Sequence, residues 1–271
     1  MKHSKDLLQE CAALLAALRS EMPLVHCMTN TVVTGYTANC LLSIGAAPAM
    51  IDDCAEAAQF AGIAGGLLIN VGTITEVQAT AMRAAVDAAN ATGTPWVLDP
   101  VAVGALSLRT ALANELKAKT PAIIRGNASE IMALAGFEST ARGVDSTARV
   151  EEARDAADLL CVQTGATVLA TGEIDFIASL GEVPISVANG HPIMTRVTGV
   201  GCAQGALAAA FAAVSDQNYR LAALATALVM AVAGDMAAER TLAPGSFQIA
   251  LLDALNAISP EDLMARGKVL V

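Results

Sequence analysis

Ala122-Ile123-Ile124-Arg125-Gly126-Asn127-Ala128-Ser129-Glu130 contains a strand end and a helix start in one short stretch. The apolar run suits a strand covered on both faces, as in a parallel sheet. Asn127 then offers an N-cap side chain. Glu130, three residues on, completes the capping-box spacing that opens a helix over Ala128–Ala135. The same alternation runs through the chain. Apolar runs predict strands at Leu24–Met28, Ala49–Ile51, Leu67–Val71, Trp96–Pro100, Ala122–Arg125, Thr167–Thr171, Asp175–Ser179 and Pro184–Val187. Helical periodicity predicts helices at Lys5–Arg19, with Ser4 as N-cap, and at Val32–Ser43, Glu56–Ala61, Glu76–Thr92 and Leu108–Ala118. Further helices follow at Ala128–Ala135, Val150–Gln163, Ala203–Val214, Arg220–Arg240 and Ser246–Ile258.

Strands alternating with helices of this length define βαβ units. The expected class is α/β, with a mainly parallel central sheet flanked by helices on both faces. The last two strands, joined by Leu180-Gly181-Glu182-Val183, read as a hairpin and an antiparallel edge. No linker, low-complexity segment or fixed-period repeat interrupts residues 1–271, so a single domain is expected.

Composition narrows the function. Hydrophobic residues make up 55% of the chain but aromatics only 3%, so the core is built of small side chains and surface is left for self-association. A net charge of −10 argues against non-specific nucleic-acid binding, while backbone amides and a metal can still create a phosphate site. The six cysteines lie far apart, in no zinc or Cys-x-x-Cys spacing. All but Cys202 read as small core hydrophobes of a reducing, cytoplasmic compartment. Met1–Met22 reads as an amphipathic helix rather than a secretory leader. The apolar run Leu221–Gly234 is too short to span a membrane.

In open α/β sheets ligands bind beyond the C-terminal strand ends. Here those ends carry Thr29-Asn30, Asp52-Asp53, Gly72-Thr73, Asp99-Pro100, Arg125-Gly126-Asn127 and Thr171-Gly172, a polar rim on an apolar body. Asp99 and Glu130 are carboxylates after successive strands and could share one Mg²⁺; Asp99 reads equally as a turn former, and Asn127 with Glu130 as a capping box. Arg125 suits a phosphate contact, and Thr171 with the Gly172 amide suits either a phosphate contact or a plain strand-end turn. Val197-Thr198-Gly199-Val200-Gly201-Cys202-Ala203-Gln204-Gly205-Ala206 places a glycine turn before an Ala-rich helix. Such a turn exposes amides at a dipole end that favours anions, with Cys202 in the first turn, where a thiolate is stabilised. Close packing explains the glycines equally well. Met50 could form an apolar pocket wall or core. His26 reads as a core histidine and His191 as a loop residue.

Together these segments resemble the hydroxyethylthiazole kinase family, the thiazole salvage kinases of thiamine biosynthesis. The likeness is carried by Asn127-Ala128-Ser129-Glu130, Gly143-Val144-Asp145-Ser146, Asn189-Gly190-His191-Pro192 and Thr198-Gly199-Val200-Gly201-Cys202. It extends to His26-Cys27-Met28-Thr29-Asn30, Ala46-Ala47-Pro48-Ala49-Met50, Leu68-Ile69-Asn70-Val71-Gly72-Thr73 and Leu98-Asp99-Pro100-Val101-Ala102-Val103-Gly104, and so runs from about residue 23 to 240.

The resemblance implies a ribokinase-like fold and ATP-dependent phosphorylation of the hydroxyl of 4-methyl-5-(2-hydroxyethyl)thiazole. It also implies Mg²⁺ and a homotrimer with pockets between subunits. Met50 and Gly199 would contact the thiazole, with Asn30 nearby. Arg125, Thr171 and Asn127 would serve ATP, and Asp99 and Glu130 the metal. Cys202 would meet the reacting hydroxyl, as a base or as a hydrogen-bond partner. Three positions depart from the family pattern: Gly35 for Asn, Ala47 for Ser before Pro48, and Ala178-Ser179-Leu180 for a Thr-Asp-Gly turn. Other readings are a hydroxymethylpyrimidine kinase, an ATP-dependent repair dehydratase, or a non-catalytic nucleotide-binding regulator.

Overall fold

The computed structural model describes residues 3–137 and 146–271, with the backbone alone for 146–150. Gly143 to Asp145, part of one resemblance segment, lie outside the described residues. The strands are β1 (Leu24–Met28), β2 (Ala47–Ala49), β3 (Gly66–Asn70), β4 (Trp96–Asp99), β5 (Ile123–Asn127), β6 (Thr167–Thr171), β7 (Asp175–Ala178), β8 (Ile185–Val187) and β9 (Val269–Leu270). They form one sheet in the order β2-β1-β3-β4-β5-β6-β7-β8-β9. Pairings from β2 to β6 are parallel, and those from β6 to β9 are antiparallel. The expected α/β architecture is therefore the one observed.

Helices cover both faces. On one side lie α1 (Ser4–Glu21), α2 (Thr34–Ile44), α8 (Val200–Ala213), α9 (Tyr219–Ala238), α10 (Pro244–Ala257) and α11 (Pro260–Arg266). On the other lie α3 (Ala57–Ala61), α4 (Glu76–Thr92), α5 (Ser107–Lys117), α6 (Ala128–Ala135) and α7 (Ser146–Thr164). The two-residue period of each strand divides its side chains between these layers. Val25, Cys27, Leu68, Val97, Ile123 and Leu169 enter the core under α8 and α9. Met28, Leu67, Ile69, Trp96, Leu98, Ile124 and Val168 enter the core under α4 to α7.

α8 is the central helix of its layer, buried from Ala203 to Ala212. Its small residues let it lie close on the sheet. A Cβ on Gly66 would come within 2.4 Å of the Ala209 carbonyl oxygen, so only glycine fits at the start of β3. α9 spans 20 residues and is apolar enough to cross a membrane by length and composition, longer than the sequence run indicated. It is a core helix instead, with 78% of its most apolar window buried.

Several expectations are corrected. β2 lies two residues earlier than expected because Ala47 pairs with Leu24 and Pro48 with Val25. Proline is tolerated there because β2 is an edge strand. The hairpin is not the other edge: β9 pairs with β8 outside it. The N-cap of α1 is His3, whose amide donates to Asp6 at 3.2 Å, rather than Ser4. Cys54 is exposed and donates to the Val77 carbonyl, whereas Cys11, Cys27, Cys40 and Cys161 are buried as expected.

Candidate active site

Strand parity assembles the site. Asn70, Asp99, Arg125 and Thr171 each fall two residues after a core residue of the α8 face: Leu68, Val97, Ile123 and Leu169. They therefore project from the same face at the C-terminal end of the sheet. Asn70 stands opposite Asp99 in register, and Asn127 opposite Thr171. Above them lies the N-terminus of α8. Gly199 is its cap, at φ +95°, a conformation in which a side chain is strained. A Cβ there would also meet Tyr36 at 2.9 Å and Val33 at 3.0 Å. The first helical hydrogen bond runs from the Ala203 amide to the Gly199 carbonyl at 2.8 Å, so the amides of Val200, Gly201 and Cys202 precede it. These amides and the helix dipole make an anion site.

A buried polar chain links this turn to the strand ends. The Asn30 amide donates to Cys202 Sγ and to Asn70 Oδ1, each at 3.2 Å. The Gly72 amide also donates to Asn70 Oδ1, at 3.0 Å. Asn70 Nδ2 donates to Asp99 Oδ2 at 2.6 Å. Asp99 Oδ1 lies 3.7 Å from Arg125 Nη1. Arg125 Nη2 donates to Thr171 Oγ1 at 3.2 Å and to Gln204 Oε1 at 3.0 Å. Beyond Arg125 opens a cavity of about 710 Å³. Thr171, Gly172, Asn127, Gly201 and the Asn189–Met194 segment line it. Its volume suits a nucleotide-sized ligand. A second depression, of about 470 Å³, includes Gly165 and Thr167 at the other end of β6 and none of the expected site residues.

The electrostatics change one expectation. Burial, then the charge of Asp99, push the Cys202 thiol above its ordinary value. Hydrogen bonds from Asn70 and Asn30 and the charge of Arg125 offset this only in part. Cys202 is thus a thiol at neutral pH, and the stabilised thiolate expected from its place in the first helical turn is not formed. Burial raises Asp99 to about 7 against the pull of Arg125; the Glu130 charge adds to the rise, and hydrogen bonding from Asn70 opposes it. In metal-free protein the folded state therefore keeps the Asp99 proton from about pH 4 to about pH 7, where the unfolded chain has lost it. Stability from this group falls as pH rises through that window. Urea midpoints measured in chelator should decline over this interval, and Asp99→Asn should flatten the decline. An unchanged slope in the variant contradicts the assignment.

Glu130 and Asn127 do form the capping box. Glu130 Oε2 accepts from the Asn127 amide at 2.9 Å and Asn127 Oδ1 from the Glu130 amide at 3.0 Å. Glu130 Oε1 also accepts from the Ala102 amide, at 3.0 Å. Asp99 Oδ1 is different, a buried oxygen with no hydrogen-bond partner. Among the described residues no cluster of three or more His, Cys, Asp or Glu forms an all-protein metal cage. A carboxylate oxygen that accepts no hydrogen bond and faces only Arg125 at 3.7 Å, with the Glu130 charge close enough to act on it, fits Mg²⁺, which binds through one or two carboxylates plus phosphates and water.

Of the expected residues, Asn30, Asp99, Arg125, Thr171 and Cys202 join this network, with Glu130 and Asn127 at its border. Met50 is half-buried against the α8-side core. His26 is core, edge-on to Phe60 at 5.2 Å. His191 caps a short 3₁₀ turn and lines the cavity. Asn70 and Gln204 were not singled out by the sequence reading. Parity from Leu68 and register with Asp99 are the signal that locates Asn70.

A mainly parallel sheet with an antiparallel extension, and a glycine turn opening a helix over its strand ends, is an α/β arrangement of the ribokinase-like kind. A ribokinase-like superfamily protein from Enterococcus faecalis V583 shares this fold with a TM-score of 0.63 at 15% identity, covering 95% of this chain and 96% of that one. The chain belongs to the Hydroxyethylthiazole kinase family, whose family model matches residues 15–261. A hydroxyethylthiazole kinase from Akkermansia muciniphila is 52% identical over 271 residues, covering 100% of this chain and 99% of the relative. One from Klebsiella pneumoniae (strain 342) is 56% identical over 238 residues, covering 88% and 91%. The solved hydroxyethylthiazole kinase of Pyrococcus horikoshii OT3 superposes with a TM-score of 0.88 at 34% identity, covering 96% and 98%.

Proposed function

We propose that this protein transfers the γ-phosphoryl group of ATP to the primary hydroxyl of 4-methyl-5-(2-hydroxyethyl)thiazole, in thiamine salvage. The observation that carries the mechanism is the buried chain from Cys202 through Asn30, Asn70 and Asp99 to Arg125, lying beneath the amides at the start of α8. It joins an acceptor side to a phosphate side. Arg125, Thr171 and Asn127 border the cavity and serve the nucleotide. The Val200, Gly201 and Cys202 amides stabilise the moving phosphoryl charge. Phosphoryl transfer passes through a loose transition state, so positioning and charge stabilisation carry most of the catalysis. A protonated Cys202 therefore suffices as a hydrogen-bond partner that holds the acceptor hydroxyl. Asp99 and Glu130 would hold Mg²⁺, which neutralises phosphate charge when bound.

Met50, Gly199 and Asn30 form the thiazole side. None of the three lines the nucleotide cavity, although Val200 and Gly201, next to Gly199, do. We read the thiazole side as completed by a neighbouring subunit of a homotrimer. Exposed apolar side chains such as Val32, Leu42 and Ile63 supply surface for association. The whole chain acts as one kinase domain in the cytoplasm, where its six free cysteines stay reduced.

ADP release measured with the thiazole alcohol, with a hydroxymethylpyrimidine and with no acceptor tests the activity. Release stimulated by the thiazole alcohol alone is expected. Stimulation by the pyrimidine instead favours the alternative kinase, and nucleotide binding without acceptor-stimulated release favours the regulator. Sedimentation at micromolar concentration should give a species near three times 27.5 kDa. A monomer that retains full activity refutes the shared pocket.

A further inference from the structure

We propose that Gln204 is the positioning residue of Arg125: it sets the plane and direction of the guanidinium that meets the ATP phosphates. This inference rests on the reading of Arg125 as a phosphate ligand. Gln204 lies on α8, buried at 5% exposure. Its Oε1 accepts from both Arg125 Nε, at 3.2 Å, and Arg125 Nη2, at 3.0 Å. Two bonds from one edge of the guanidinium to one oxygen fix rotation about the end of the side chain in a way that a single bond does not.

The Gln204 carboxamide is itself oriented. Its Nε2 donates to Asp175 Oδ2 at 3.4 Å, and Asp175 Oδ1 accepts from the Gly172 amide at 3.0 Å. With Nε2 committed to a carboxylate, Oε1 is the atom presented to Arg125. The other face of the arrangement is set by Gly201, where a Cβ would come within 3.0 Å of Arg125 Nη2 and 3.1 Å of Nη1. The guanidinium is seated against the first turn of α8, beside the amides of the anion site. Asp99 at Nη1 and Thr171 at Nη2 complete its surroundings. A positive charge held this way costs no reorganisation when phosphate arrives, which is where preorganised groups gain their catalytic effect.

A merely structural glutamine and a positioning glutamine make different kinetic predictions. Gln204→Met keeps the length and removes both hydrogen-bonding ends. It should raise KM for ATP roughly 10- to 150-fold, the range for a lost charge-assisted hydrogen bond, and leave KM for the thiazole within about twofold. Gln204→Leu is the second variant, should the first misfold. Arg125→Ala should cost more. Adding Gln204→Met to Arg125→Ala should cost almost nothing further, because the group being positioned is gone. Gln204→Glu alone sets a carboxylate against Asp175 and should weaken ATP binding. Gln204→Glu combined with Asp175→Asn keeps the acceptor toward Arg125, restores a donor between the pair by placing it on residue 175, and should recover most of the loss.

ATP and thiazole KM values for these variants, with circular dichroism to confirm folding, are the measurement. Recovery in the exchanged pair and non-additivity with Arg125→Ala support the inference. A folded Gln204→Met with unchanged KM for ATP overturns it while leaving Arg125 as a phosphate ligand. Full additivity with Arg125→Ala also overturns it. An Arg125→Ala variant with unchanged KM for ATP removes both.

Discussion

Asp99→Asn lowers kcat by roughly a thousandfold and leaves the fold intact. The size follows from losing a preorganised charge at the reacting phosphates. The fold survives because burial disfavours the charged carboxylate, raising Asp99 to about 7, so a neutral asparagine removes a charge that weakens folding rather than one that folding needs. An asparagine oxygen can still accept from Asn70 Nδ2, which meets Asp99 Oδ2 at 2.6 Å. Glu130→Gln is the companion test. Glutamine offers one acceptor oxygen where Glu130 accepts from both the Asn127 and the Ala102 amides, so the variant can keep the capping bond while losing the second carboxylate charge and the bond to Ala102. Its kcat should fall strongly, with thiazole binding by calorimetry nearly unchanged. Activity independent of added Mg²⁺, or folded variants with full turnover, contradicts the paired role of these carboxylates. An unfolded Glu130→Gln assigns that residue to the cap alone.

Cys202 gives the second large effect. Cys202→Ala lowers kcat about 10- to 100-fold, less than Asp99→Asn, because the α8 amides, Arg125 and the carboxylates remain. Cys202→Asp stays active, since Asn30 and Asn70 already direct donors at this position and a carboxyl, with an ordinary pKa far below that of a thiol, ionises despite the burial and the Asp99 charge that keep the thiol protonated. The protonated thiol also sets its reactivity. Alkylation at pH 7 should be slow, should accelerate as pH rises, and should be blocked by the thiazole alcohol. Turnover of both variants at saturating ATP and thiazole decides the matter. Full activity in Cys202→Ala reduces the thiol to packing, and an inactive, folded Cys202→Asp refutes the carboxylate substitution.

The parts of the molecule legible in the sequence are those with chemical start and stop signals. α4 runs from Glu76 to Thr92 as expected because Thr75 and Gln78 form a capping box and Gly93 takes a left-handed C-cap. α6 is bounded likewise by Asn127, Glu130 and Gly136. α8 starts at Val200, three residues before the expected Ala203, because the left-handed Gly199 caps it. β9, a two-residue strand, has no periodicity to read, and α11, though opened by a capping box at Ser259 and Asp262, has only seven residues, too few to show a helical period.

The strand-end residues of the site were visible because an acid, an arginine and a threonine stand out after apolar runs. Gln204 was not, because inside an Ala-rich helix a lone glutamine reads as solvent-facing. Only the tertiary placement of Arg125 gives it a partner. The depressed thiol expected from the helix dipole failed for a related reason. Burial and the nearby Asp99 outweigh the dipole and the amide donors.

The most direct test of the central claim follows the phosphoryl group itself. ATP labelled at the γ-phosphate is incubated with the protein, Mg²⁺ and the thiazole alcohol, and products are separated. The expected result is labelled thiazole phosphate formed one-for-one with ADP, and its loss when Asp99→Asn replaces the wild type. ADP formed with the label in inorganic phosphate, or on a pyrimidine alcohol in preference to the thiazole, contradicts the account.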